Sequence, residues 1–217
     1  MYRTVGNRVA VDIRALQVPV SDNVLLDFLT QKGFRILDLD IVTEARRCIG
    51  LAAYVLRAKM CQAPKALDCS GFVKYIFAQK GVWLPRLSIQ QRSCGSVVSL
   101  SDMLPGDLLF STGKYNWFDH NPLDTVGHVC IVSSKNTVVH ASCLSLGVEE
   151  VPIDKYVQPN YFRGIRRIIP LGRLVVTLEI PHDMEIETSD DLRWYVLGEY
   201  GKGNLSFSES RMISSAV

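Results

Sequence analysis

Leu67-Asp68-Cys69-Ser70-Gly71-Phe72-Val73, continued by Lys74-Tyr75-Ile76-Phe77-Ala78-Gln79-Lys80-Gly81, is the stretch whose reading decides the fold. Phe72, Val73, Ile76 and Phe77 recur at helical spacing, Asp68 can cap the free N–H groups at the start, and Gly81 closes the far end. Cys69 therefore falls in the first turn of a short buried helix. Unpaired backbone donors and the helix dipole favour an anion there, so the position predicts a thiolate forming well below the ~8.5 of a free cysteine. A single cysteine is more often an inert core residue. The neighbours that the rest of the chain supplies decide between the two.

Upstream, Pro64 makes 60–66 a connector, because it has no amide to donate and disfavours helix before it. Before the connector, Thr43 opens a predicted helix with Ala45, Cys48, Ile49, Ala52, Val55 and Leu56 on its buried stripe and Tyr54 towards its end. Earlier still, Val9, Val11 and Ile13 alternate as a strand, Ser21 or Asp22 caps a helix ending at Gly33, and 34–39 forms a short strand.

Downstream, Pro105-Gly106 turns into an apolar strand at 108–110, and 112–126 is a long irregular loop carrying Tyr115, Trp117, Phe118 and His120. Two apolar runs, 127–132 and 137–141, flank Ser133-Ser134-Lys135-Asn136. Asn136 tolerates the left-handed conformation of a tight turn, so the runs pair as an antiparallel hairpin. With pairing centred near Ser134 or Lys135, His128 and His140 share a face, opposite each other or one diagonal apart. Residues 161–169 read as a further strand with its arginines turned to solvent. Leu174, Val176, Leu178 and Ile180 alternate as another, Ser189 or Asp190 caps a helix through Leu197, and 201–217 is serine-rich and loose.

The 217 residues carry a net charge of +2 with no basic run, which gives no electrostatic case for nucleic acid. No segment approaches the ~18 continuous apolar residues of a membrane span. The first residues carry scattered charge where an export signal needs an apolar run, so a cytoplasmic location is expected. Six cysteines spread singly, without CxxC, suit reduced thiols better than a disulfide framework.

A thiol at a helix start, a histidine on a strand and a second polar residue to orient it are the minimum for cysteine nucleophilic catalysis. The sequence at this point resembles the NlpC-type (NlpC/p-sixty) cell-wall endopeptidases, a papain-like group of cysteine peptidases. The resemblance rests on Asp68-Cys69-Ser70-Gly71-Phe72-Val73, Leu84-Pro85-Arg86 with Ser88 and Gln91, Leu104-Pro105-Gly106-Asp107-Leu108, Gly127-His128-Val129, Val139-His140-Ala141-Ser142 and Tyr161-Phe162-Arg163-Gly164-Ile165-Arg166-Arg167. These occur in family order across roughly 44–169. The resemblance implies an α+β, papain-like fold, with helices packed on an antiparallel β-sheet and the catalytic cysteine at a helix N-terminus. It implies Cys69 as nucleophile, His128 as general base, His140 as the orienting third residue, Tyr54 beside the Cys69 N–H at the oxyanion, and Asp68 and Ser70 near the substrate's free amine. No cofactor is implied. The reaction implied is hydrolysis of an amide in peptidoglycan stem peptides, typically between D-γ-glutamate and the diamino acid. Here Tyr54 lies further from Cys69 than is usual, and Cys130 stands where a glycine commonly follows His-Val.

Two other readings compete. A metal site would use His128, Cys130, His140 and Cys143, whose residue types suit zinc; it is disfavoured because the side chains of His128 and Cys130, two apart on one strand, should rise in parallel. A thioester-forming acyltransferase or amidase, or a non-catalytic wall-peptide-binding module, would keep the fold without the endopeptidase activity. The extensions, 1–43 and 170–217, are each too small to bury a separate core and are expected to pack as additions covering the cleft.

Overall fold

The computed structural model describes residues 1–145 and 147–203, so most of the serine-rich 201–217 lies outside the described residues. In chain order the elements are β1 (Arg8–Asp12), α1 (Asp22–Gln31), β2 (Arg35–Leu37), α2 (Ile41–Arg47), β3 (Ala53–Tyr54), β4 (Ala66–Leu67) and α3 (Cys69–Gln79). There follow α4 (Ser88–Gln91), β5 (Ser96–Val98), β6 (Leu108–Ser111), β7 (His128–Val132), β8 (Thr137–Ser142), β9 (Gly147–Pro152), β10 (Phe162–Arg167), β11 (Val175–Glu179) and α5 (Ser189–Gly201).

The chain divides into two units: Leu39–Leu171, and Met1–Asp38 together with Gly172–Val217. The first holds an eight-stranded sheet in the order β4-β3-β9-β8-β7-β6-β10-β5. Strands β6, β7 and β8 are buried except at His128 and Thr137, which are half-buried, and the apolar runs Leu108–Phe110, Val129–Val132 and Val138–Val139 fill their middles, as central strands covered on both faces require. Helices α2 and α3 pack against β7 and β8. Leu109, Cys130, Val132, Val138, Ile153, Tyr156 and Ile165 form a separate cluster within the unit. The arrangement is the α+β, antiparallel-rich architecture expected, with Cys69 as the first residue of α3.

The second unit corrects the expectation for the two extensions. Taken singly each is too small to bury a core, but together they build one. Strand β11 sits between β1 and β2, antiparallel to both, so Thr177 faces Ala10 on one side and Leu37 on the other. Val9, Val11, Leu25, Leu29, Phe34, Leu178, Leu192 and Val196 bury together beneath it. Side-chain alternation was legible in β1 and β11; the pairing of the three strands over such a sequence separation was not.

Other local expectations change for identifiable reasons. The helix foreseen from Thr43 through Leu56 is α2 alone, capped by the Asp40 carboxylate on the Thr43 N–H and ended before Gly50, which adopts φ +75°. Beyond it Ile49, Val55 and Leu56 are over 40% exposed, and Tyr54 lies on a strand. In the β7–β8 hairpin the turn is made by hydroxyls rather than by a left-handed Asn136. The Thr137 Oγ1 bonds those of Ser133 and Ser134 at 2.9 and 2.6 Å, and Ser134 Oγ accepts from the Asn136 N–H. Arg167 of β10 turns inward, donating to both Asp107 oxygens at 2.8 and 2.7 Å.

Candidate active site

Cys69 is placed by strand, cap and brace. Strand β4 delivers the chain to α3, and Asp68 caps the helix by accepting from the Gly71 N–H at 2.7 Å. The same carboxylate accepts from Arg86 Nη1 and Nη2 at 2.9 and 2.6 Å and from the Arg57 N–H at 2.9 Å. Ser70 Oγ accepts from Arg86 Nη1 at 3.0 Å, and the buried Gln91 amide donates to the carbonyls of Ser70 and Pro85. These contacts give Asp68 and Ser70 a structural role beside the one expected for them at the substrate's free amine. Both are buried on the cleft wall beside Cys69, but the Asp68 oxygens are engaged by Arg86 and two backbone N–H groups, so its observed work is to fix the first turn of α3.

The histidines come together as hairpin parity foresees. The register Ile131↔Val139 and Val132↔Val138, carried one residue further, sets Cys130 opposite His140 and His128 one diagonal away. His128 Nε2 and His140 Nδ1 are 2.8 Å apart, with the rings edge to face at 82°. On its other side His140 Nε2 lies 3.4 Å from Glu149 Oε1, its direct cross-strand partner on β9. Because the Glu149 carboxylate accepts, we assign the His140 proton to Nε2; His140 Nδ1 then accepts from His128 Nε2–H, and the lone pair of His128 lies on Nδ1. Tyr156 stacks on His128 at 5.8 Å and places its hydroxyl 3.3 Å from His140 Nε2.

Glu149 and Tyr156 are the residues sequence reasoning missed. Continuing β8 through a tight turn after Ser142 would have paired His140 with Glu149. Nothing local marked Tyr156.

Cys69, His128, His140 and Tyr54 line one cleft, walled also by Arg57, Lys114, Tyr115, Trp117, Lys155 and Tyr161. Its volume of about 1540 Å³ exceeds the roughly 300–1,000 Å³ of a small-molecule site, which leaves room for a peptide. The 112–126 loop thus forms a wall, held by the bridge between Trp117 and Val126. Tyr54 reaches the site because β3 runs parallel to β4, pairing Tyr54 with Leu67 two residues before Cys69. Its sequence distance from Cys69 is spent in the loop between the strands. Burial pushes its phenol up, so it remains a neutral donor.

The thiol differs from expectation. Burial, and then the Asp68 carboxylate, push Cys69 up to about 12, against the opposing pull of the Val129 and Ser70 N–H groups and of Arg86. Burial and the neighbouring His140 push His128 down to about 3, and burial lowers His140 to about 4. Both shifts favour a neutral thiol beside a neutral imidazole. A helix start favours thiolate only where the site is solvated enough, and desolvation wins here.

The geometric objection to a metal site also changes. The ligand atoms of His128, Cys130 and His140 lie within 4.8 Å of one another, because His140 enters from the adjacent strand and closes the triangle. Cys143 is exposed and stands outside this group.

Residues 52–167, more than half the chain, match the NlpC/P60 family. Similar curated proteins include a probable endopeptidase p60 of Listeria seeligeri, 36% identical over 101 residues covering 46% of this chain and 17% of that one. The gamma-DL-glutamyl hydrolase of Bacillus subtilis is 30% identical over 135 residues, 60% of this chain and 29% of that one. The probable endopeptidase NlpC of Escherichia coli is 36% identical over 105 residues, 47% of this chain and 62% of that one. This chain therefore spans less than two thirds of each. Among solved structures, an NlpC/P60 family protein from Bacillus cereus superposes with a TM-score of 0.50 at 26% identity, over 60% of this chain and 40% of that one.

Proposed function

Because the chain belongs to the NlpC/P60 family, we propose that it is a cysteine endopeptidase hydrolysing an amide bond in peptidoglycan stem peptides, the bond between D-γ-glutamate and the diamino acid. The observation that carries this reading is the opening of Cys69 and the hydrogen-bonded His128–His140 pair onto one peptide-sized cleft. Cationic side chains there, Arg57, Lys114 and Lys155, suit a substrate rich in carboxylates, and Asp68 is already neutralised by Arg86.

In this reading His128 Nδ1 takes the Cys69 proton as the sulfur attacks the carbonyl carbon. The oxyanion that forms meets the Cys69 N–H, which precedes the first helical hydrogen bond, and the Tyr54 hydroxyl. Imidazolium at His128 is stabilised through His140, whose far nitrogen leans on Glu149. Collapse expels the amine with the proton from His128 and leaves a thioester on Cys69. Water, deprotonated by the same nitrogen, then releases the acid and restores the thiol. In this reading, with both shifts favouring the neutral forms, proton transfer accompanies attack instead of preceding it.

Incubating the protein with defined stem tripeptides and reading products by mass tests the reading. The expected result is two fragments whose masses sum to substrate plus water, with no turnover by Cys69→Ala. Transfer of the acyl group to an added amine in place of water would move the assignment to an acyltransferase, and binding without turnover to a binding module.

A further inference from the structure

We propose that His128, Cys130 and His140 form a binding site for a soft divalent cation, with zinc as the fitting ion, and that filling it silences Cys69 without ligating it. The silencing rests on the peptidase reading above; the binding does not. Two imidazole nitrogens and one thiolate are a donor set zinc prefers, and three protein ligands with water in the fourth position are a common zinc arrangement.

The distances are close to what the ion requires. Around tetrahedral zinc, donor atoms sit roughly 3.3–3.6 Å apart. Here all three ligand atoms lie within 4.8 Å, so the widest gap must close by about an ångström. The histidine nitrogens, 2.8 Å apart, must open by about half that. Both rings line the cleft, while Cys130 lies fully buried behind them and is absent from the cleft wall. An ion arriving along the cleft meets the rings first and the sulfur beneath, with the cleft side left for water. The thiolate and Glu149 together offset the ion's two positive charges.

Inactivation follows from the tautomers. To offer a lone pair from Nε2, His128 must move its proton to Nδ1, the nitrogen that otherwise receives the Cys69 proton. His140 already offers Nδ1, because its own proton faces Glu149. Cys130 loses its proton to solvent on ligation. The balance is one cation bound and one proton released, with the base occupied and Cys69 left as a thiol beside an imidazole that can no longer accept from it.

The test uses the full chain with zinc, and with cobalt(II) as a spectroscopic substitute. Zinc is expected to inhibit turnover reversibly, with relief by a chelator. Cys130→Ala, which removes no catalytic group, should turn over normally and need at least the roughly 100-fold more zinc that marks the upper end for lost outer-shell partners. Cobalt should give a thiolate charge-transfer band in the native chain and in Cys69→Ala, and none in Cys130→Ala. If Cys130→Ala misfolds, Cys130→Ser takes its place, with the band lost on the same grounds. Equal zinc sensitivity in the Cys130 variant, or a cobalt band that needs Cys69, would place the ion on the Cys69–His128 pair and overturn the proposal. A chain that cleaves no stem peptide yet shows the Cys130-dependent band would refute the peptidase reading and leave the metal site standing.

Discussion

On one side of Cys69 the carboxylate of Asp68 has its oxygens filled, by both terminal guanidinium nitrogens of Arg86 and by two backbone N–H groups. On the other, His128 and His140 form a chain of neutral rings that ends on Glu149 and leaves one nitrogen of His128 unspent. The first wall is ionic and saturated, and so it holds geometry. The second is neutral, desolvated and one bond short, and so it can move a proton. Reactivity in this cleft follows from what is left unpaired more than from where the charges are.

The largest expected consequence is kinetic. His128→Ala should cost roughly 10⁴-fold or more in kcat, nearly as much as Cys69→Ala, because nucleophile and base act as a unit. His140→Ala and Glu149→Gln should cost roughly 10- to 100-fold, since each only orients and supports the base. Steady-state rates on one stem peptide check the order; a His128 loss no greater than that of Glu149 would mean that the proton leaves by another route.

The ionic wall should fail as structure instead. Arg86→Met leaves Asp68 buried beside Cys69 without its partner, and should destabilise by about 2–3 kcal/mol, below the 3–5 of a fully buried pair because Arg86 is 30% exposed. Denaturant unfolding measures this. Adding Asp68→Asn should recover part of the loss; a stable Arg86→Met with unchanged activity would show that the brace is dispensable.

The smallest effect separates neutral from charged chemistry at the thiol. With Cys69 raised to about 12 and His128 lowered to about 3, neither group changes charge between those limits. Iodoacetamide at neutral pH should therefore label the exposed Cys61 and Cys143 ahead of Cys69, and the Cys69 rate should climb only as pH approaches 12. Cys69 labelled first, with a plateau from mildly acidic to neutral pH, would instead reveal a thiolate–imidazolium pair. The sign for stability is separate: a histidine whose folded value lies below its ordinary 6.5 disfavours the native state as pH falls from 6.5 towards 3, so acid should loosen the β7–β8 region.

Legibility in the sequence tracked how local each feature is. The α3 helix with its Asp68 cap and the diagonal meeting of His128 with His140 follow from spacing and parity within a dozen or so residues. The sixfold pattern that suggested the family also has a physical reading now: Asp68 pairs with Arg86, and Asp107 with Arg167, so two of the quoted motifs are halves of ion pairs closed by two others. What sequence could not supply were partners. Tyr54 needed the parallel pairing of β3 with β4, Glu149 needed the β8–β9 register, and the thiol's neutrality needed the degree of burial around it.

The strand order β1-β11-β2 has a consequence for how the protein is made. The unit holding β1 and β2 is interrupted: the chain leaves it after Asp38 and returns at Gly172. During synthesis β1, α1 and β2 emerge first, and the strand that must lie between β1 and β2 emerges only after the whole cleft-bearing unit. Until then two unpaired strand edges wait beside a growing chain, the condition under which misassembly with a neighbouring copy competes. Prior folding of 39–171 turns a long floppy tether into a compact plug. Each halving of the effective loop removes roughly 0.6 kcal/mol from the closure that brings Thr177 to Leu37. The inserted unit is thus the timer for the one that surrounds it in sequence: a substitution that slows folding of 39–171 should show first as failure of β11 to find its place.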